Sequence, residues 1–130
     1  MNFKVNTKEK FTTIYVNETE LSANMTANIN TICLPYLETE VKNIILNLSE
    51  VQSIDTEVAI TLTTLQQKFY ELDASFVICA MQPNVEATFE QLALLDMMNI
   101  TPTESEAWDI IQMEEIEREL LNNDDVTFEN

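Results

Sequence analysis

Ser75 to Met81 reads SFVICAM, an almost continuously apolar run. Such a run, bounded by polar residues, is a strand covered on both faces, and strands of that kind lie in a parallel sheet layered between helices. The chain therefore has to supply helices to both sides of a sheet. Asn43 to Leu48, NIILNL, has the same buried-strand character and is broken by Ser49 and Glu50. Val51 and Ile54 return the chain to an apolar surface. Asp55 then suits a helix N-cap, its carboxylate accepting from N–H groups of the next turn. Beyond it Val58, Leu62, Leu65, Phe69 and Leu72 recur at helical spacing and predict an amphipathic helix over Thr56–Leu72.

The remaining segments fit around these two strands. FKVNTK at 3–8 alternates, FTTIYV at 11–16 is β-branched and aromatic, and Lys8-Glu9-Lys10 between them makes a hairpin. NETEL at 17–21 is a polar connection. Ser22 is an N-cap for a first helix whose apolar stripe is Met25, Ile29, Ile32, Cys33 and Tyr36. Pro35 lacks an N–H and ends or kinks that helix near Leu34. Asp73-Ala74 form the turn after the second helix. Pro83 starts a third, with Val85, Phe89 and Leu92 inward, ending near Leu94. Met97–Ile100 reads as a short final strand. Thr103 with Glu106 makes a capping box for a last helix over Glu104–Leu121, with Ala107, Ile110, Ile111, Met113, Ile116 and Leu120 inward. The expected order is β-β-α-β-α-β-α-(β)-α: an α/β fold with a mixed four- to five-stranded sheet and about four helices. Residues 1–121 form one domain. The acidic stretch 122–130 is expected to be a tail without fixed structure.

Composition narrows function by what is missing. There is no His among 130 residues, which excludes Ser-His-Asp and Cys-His catalysis and nearly all catalytic zinc sites. There is no Gly, which excludes the P-loop and the dinucleotide-binding fingerprint. The formal charge of −17, from 23 acids and 6 bases, argues against nucleic acid and anionic membrane surfaces and fits a basic partner. Residues 81–130 carry thirteen acids and one base, Arg118. Glu114, Glu115, Glu117 and Glu119 read as a solvated helix face, with Glu114 pairing Arg118 one turn on. Trp108 packs in part on the sheet. Cys33 and Cys79 read as buried free thiols in a reducing compartment. No apolar run is long enough to span a membrane, and the first residues carry no signal-peptide core, so a cytoplasmic protein is expected. No carboxylate pair marks a catalytic cleft. No enzyme activity, metal or cofactor is expected.

Ligand and partner sites in α/β sheets lie where strand C-termini meet helix N-termini, and Asp55-Thr56 is such a junction. Here the chain resembles the STAS domain family, the fold of the bacterial anti-anti-sigma factors (anti-sigma factor antagonists). NIILNLSEVQSIDT is similar to the family's strand–loop–helix segment, whose loop ends in Asp-Ser-Ser-Gly. SFVICAMQPNVEATFE resembles the next strand, Pro-containing loop and helix start, and ITPTESEAW the closing Pro-Thr segment. Glu20-Leu21-Ser22 stands where the family often has Glu-Leu-Asp. The resemblance implies a non-enzymatic regulatory module that binds an anti-sigma factor or serine/threonine kinase-like regulator. It implies Thr56 as the phosphoacceptor beside Asp55, and a partner surface formed by Glu20, Ser22, Ser53, Asp55, Thr56, Glu57, Val58 and Asn84. Glu57 and Val58 replace the family's second Ser and its Gly. Glu57 adds repulsion against a phosphate, and Val58 stands where a small residue admits a kinase. The alternative implied by the same resemblance is a STAS subunit without a phosphoswitch, scaffolding a transporter or other assembly.

Overall fold

The computed structural model describes residues 1–128, with side chains described as far as 121. Strands β1 (Phe3–Thr7) and β2 (Thr12–Val16) form the expected antiparallel hairpin, Phe3 opposite Val16 and Thr7 opposite Thr12. Next come β3 (Glu20–Leu21), a 3-10 turn at Ala23–Met25 and helix α1 (Thr26–Cys33). At Pro35 the α-helix gives way to a 3-10 turn over Leu34–Glu38, because proline removes the i→i−4 bond. Strands β4 (Ile44–Asn47) and β5 (Ser53–Ile54) lead into α2 (Thr56–Glu71). Then follow β6 (Phe76–Cys79), α3 (Pro83–Gln91), a 3-10 turn at Leu95–Met97, β7 (Ile100–Thr101) and α4 (Glu104–Phe128).

The main sheet runs β1-β2-β4-β6-β7, with every pair after the hairpin parallel. Alternation divides its residues between two cores. Ile14, Val16, Ile44, Leu46, Phe76 and Ile78 face the larger one, with Ile29 and Cys33 of α1, Val58, Leu62, Leu65 and Phe69 of α2, and Val85 and Phe89 of α3. Ile45, Val77 and Cys79 face the smaller one under Ala107 and Ile111 of α4. Phe11 stacks on Trp108 at its margin, ring centroids 4.8 Å apart. The two runs read as doubly covered strands are covered in this way.

Several expectations are revised. Glu20–Leu21 and Ser53–Ile54, read as connections, pair as a separate two-stranded parallel sheet. The final strand is Ile100–Thr101, since Leu95–Met97 form a 3-10 turn. The third helix ends at Gln91, where Ala93 adopts φ 57°. Leu72 is 51% exposed, because α2 has ended and Asp73 turns the chain at φ 61°. The helical backbone of α4 continues past the expected end at Leu121 to Phe128. The expectation of an unstructured tail over 122–130 falls on side chains, and at 129–130 on backbone, outside the described residues.

The inward face of α4 also differs. Ala107 and Ile111 are buried and Ile110 half-buried, but Met113, Ile116 and Leu120 are exposed. The residues that turn to the sheet below Ile111 are polar. Ser75 Oγ donates to Glu114 Oε1 (2.6 Å) and accepts from Arg118 Nη1 and Nη2 (both 3.3 Å). Asn99 Nδ2 donates to Glu114 Oε2 (2.9 Å), and Asn43 Nδ2 donates to Glu115 Oε1 (2.7 Å). Glu114 and Glu115 are therefore anchors, where a solvated face was expected.

Candidate functional site

The site is built where β5 enters α2. Asp55 has extended backbone, φ −79° and ψ 159°, and its carbonyl accepts from Val58 N–H (3.0 Å) and Ala59 N–H (3.2 Å). It is thus the N-cap by position, but its side chain caps no N–H of α2. The carboxylate instead reaches across, where Ala23 N–H donates to Asp55 Oδ2 at 2.8 Å. Asp55 N–H donates to Leu21 O at 2.9 Å. The same residue therefore holds the start of the first helical segment and the end of β3. Ser22, expected to cap that segment, makes no side-chain cap and donates its hydroxyl to Asn24 Oδ1.

The short β3–β5 pairing makes this possible. Glu20 lies opposite Ser53 and Leu21 opposite Ile54. Leu21 and Ile54 are buried, which anchors the pair to the larger core, and Glu20 is exposed beside half-buried Ser53. Gln52 N–H donates to Thr19 O at 2.7 Å and continues the pairing upstream. On the other side Asn84 Nδ2 donates to Gln52 O (3.0 Å) and Gln82 Nε2 to Ser49 O (2.8 Å), fastening the start of α3 to the same loop.

The structure brings Glu20, Ser22, Ser53, Asp55, Thr56, Glu57 and Asn84 to this one end of the domain, where β3, β5, α2 and α3 meet. Asp55, Thr56, Glu57 and Asn84 are exposed. Val58 is not on the surface. It is 0% exposed and packs in the larger core, so its side chain is a packing residue and offers nothing to a partner. Gln52, Gln82 and the Ala23 N–H, which the sequence did not single out, complete the loop network. The amides had no visible signal, since Gln and Asn in a loop are equally often solvated.

Thr56 is the first residue of α2, where the unpaired N–H groups and the positive end of the helix dipole favour an anion. Asp55 and Glu57 flank it with carboxylates. Next to the loop is an open cleft of about 450 Å³ lined by Asn17, Glu18, Thr19, Glu50, Gln52 and Gln82. It carries two acids and no base, a poor lining for a phosphate-bearing small molecule.

The two cysteines lie away from this surface. Both are buried, and burial pushes each thiol up to about 12, with the Glu104 carboxylate adding to the effect at Cys79. They are protonated and unreactive in the folded state.

The model of the STAS domain matches residues 2–107, and the chain belongs to that family. No curated protein matches it in sequence. Among solved structures it resembles TM1081 of Thermotoga maritima, with 18% identity and TM-score 0.71 over 85% of this chain and 94% of that one. RsbS of Moorella thermoacetica has 16% identity and TM-score 0.71, over 86% and 96% of the two chains. The anti-sigma factor antagonist SpoIIAA of Bacillus, in its unphosphorylated form, has 18% identity and TM-score 0.68, over 85% and 96%. At these identities the likeness is one of fold. Among the described residues no helix is long and apolar enough to cross a membrane.

Proposed function

We propose that this protein is a non-enzymatic regulatory interaction module of the anti-sigma factor antagonist kind, which binds an anti-sigma factor or a serine/threonine kinase-like regulator. The contact surface in this reading is the exposed end formed by Glu20, Ser22, Ser53, Asp55, Thr56, Glu57 and Asn84. The observation that carries it is the exposed Asp55-Thr56 pair at the head of α2, in a STAS fold whose structural relatives include an anti-sigma factor antagonist.

The geometry supplies a physical route from modification to binding. A phosphate on Thr56 adds about −1.5 to −2 charges at a helix start whose backbone donors receive no bond from the Asp55 carboxylate. The helix accommodates that charge. The neighbouring carboxylates do not: Asp55 is repelled, and the bond from Ala23 that ties the two helix starts together weakens. The surface changes in charge, bulk and rigidity in one step, so phosphorylation switches the partner off. Glu57 keeps the site partly anionic beforehand, which makes the contrast between the two states smaller than with a neutral neighbour.

The test is to titrate the protein with its kinase-type anti-sigma partner and to follow intact mass after adding ATP. The expected result is one phosphate, absent from Thr56→Ala, and a loss of partner affinity in the phosphorylated form and in Thr56→Glu. An unmodified Thr56, with partner binding indifferent to both substitutions, overturns the switch.

A further inference from the structure

The outer side of α4 is apolar where a helix lying on a sheet is ordinarily polar. Ala107 and Ile111 are fully buried against the sheet, and Glu114 and Arg118 turn the same way to reach Ser75. At roughly 100° per residue, Met113, Ile116 and Leu120 fall on the opposite side of the helix. They are 60%, 54% and 55% exposed. Their spacing of three and four residues makes a continuous stripe, the pattern by which one helix grips another.

The rim of this stripe has one sign. Asp109 continues its line one turn before Met113 and Glu117 borders it, both exposed, and Arg118, the sole base of α4, is taken up by Ser75 on the inner side. A second copy of the chain would bring acidic rim against acidic rim in a molecule already carrying −17. Like charges set face to face oppose association, whereas a rim of the opposite sign both steers and fits. The stripe is also remote from the Thr56 end. α4 covers the sheet face opposite α1 and α2, and the turn that carries the stripe is level with the start of β6, where Glu114 meets Ser75, whereas Thr56 follows the ends of β4 and β5.

We propose that the outer face of α4 is a second docking surface, and that its occupant is a basic amphipathic helix of a partner protein. That helix places aliphatic side chains on Met113, Ile116 and Leu120 and lysines or arginines against Asp109 and Glu117. The surface works independently of the state of Thr56, so one domain holds two partner segments at once.

The test uses the full chain and three labelled helical peptides of equal length: Leu/Lys amphipathic, Ser/Lys with the same charge, and Leu/Glu with the same apolar face. Fluorescence anisotropy reads affinity, and sedimentation reads oligomeric state. The Leu/Lys peptide is expected to bind at least about tenfold more tightly than either control. Ile116→Ser with Leu120→Ser removes about tenfold of that affinity, and Thr56→Glu changes it by less than about twofold. Asp109→Lys with Glu117→Lys, which spares the apolar stripe, transfers the preference to the Leu/Glu peptide. Three results overturn the proposal: equal binding of the Ser/Lys peptide, indifference to Ile116→Ser and Leu120→Ser, or a dimer that these two substitutions dissociate.

Discussion

The carboxylate of Asp55 caps the backbone N–H of Ala23 at 2.8 Å, so the residue that starts α2 stabilises the start of a helical segment 32 positions earlier. One side chain thus adds a link between two elements already joined by the β3–β5 pairing and by the bond from Asp55 N–H to Leu21 O. Asp55→Ala should lower unfolding free energy by about 1 kcal/mol, the usual worth of a cap. Asp55→Asn, whose amide oxygen can still accept, should retain most of it. Urea titrations of the three proteins measure the difference, and hydrogen exchange at Ala23 reports whether the loss is local. Identical midpoints for wild type and Asp55→Ala would mean that water replaces the carboxylate without cost.

This bond also shows where sequence legibility stops. The doubly covered strands and the helical stripe from Val58 to Phe69 were readable because periodicity and burial act locally. Asp55 was readable as a helix N-cap residue, but which helix its side chain serves depends on the β3–β5 pairing. Those strands have two residues each, too few for any pattern to show. In α4 two apolar registers compete. One passes through Ala107 and Ile111, the other through Met113, Ile116 and Leu120. Ser75, Asn99 and Asn43 decide between them by donating to Glu114 and Glu115, with Ser75 also accepting from Arg118, and those partners come from elsewhere in the chain.

The absence of glycine has a structural consequence at three turns. Asp73, Ala80 and Ala93 adopt φ of 61°, 60° and 57°. Aspartate tolerates this region, but for alanine the Cβ–carbonyl clash costs about 1–2 kcal/mol. Ala93 is exposed at the end of α3, so replacement there disturbs no packing. Ala93→Gly is expected to raise stability by about 0.5–1 kcal/mol, the greater freedom of glycine in the unfolded chain offsetting part of the relief. Ala80→Gly should act in the same direction and less strongly, since Ala80 packs against the smaller core. Thermal unfolding compares the variants directly.

Asn43 is the hub that fixes α4 to the start of the sheet. Its Oδ1 accepts from Ser75 N–H at 2.9 Å, and its Nδ2 donates to Lys10 O at 2.9 Å and to Glu115 Oε1 at 2.7 Å. Asn43 is buried, and Asn43→Ala strands the Ser75 N–H away from water. The expected cost is about 2–3 kcal/mol. Glu115→Ala removes only one of these bonds at a half-exposed position and should cost about 1 kcal/mol or less. Equal costs in chemical denaturation would show that the asparagine acts only through Glu115.

The buried thiols set an upper pH limit on stability. Cys33 and Cys79 have ordinary values near 9, and burial raises both to about 12. The unfolded chain then loses these protons first as pH rises, so the folded state binds more protons between about 9 and 12. Where the folded state holds more protons, unfolding free energy falls with increasing pH. The contribution of the two thiols is therefore intact below pH 9 and lost progressively toward about 12. Tyr15 and Tyr36, raised chiefly by burial as well, add to the same trend. Urea midpoints should be insensitive to thiol ionisation below pH 9 and decline above it, and the decline should be shallower in Cys33→Ala with Cys79→Ala even though that variant starts from lower stability. A thiol reagent at neutral pH should label neither cysteine until denaturant is added. Rapid labelling of the native protein would show that one of the two sites opens without global unfolding.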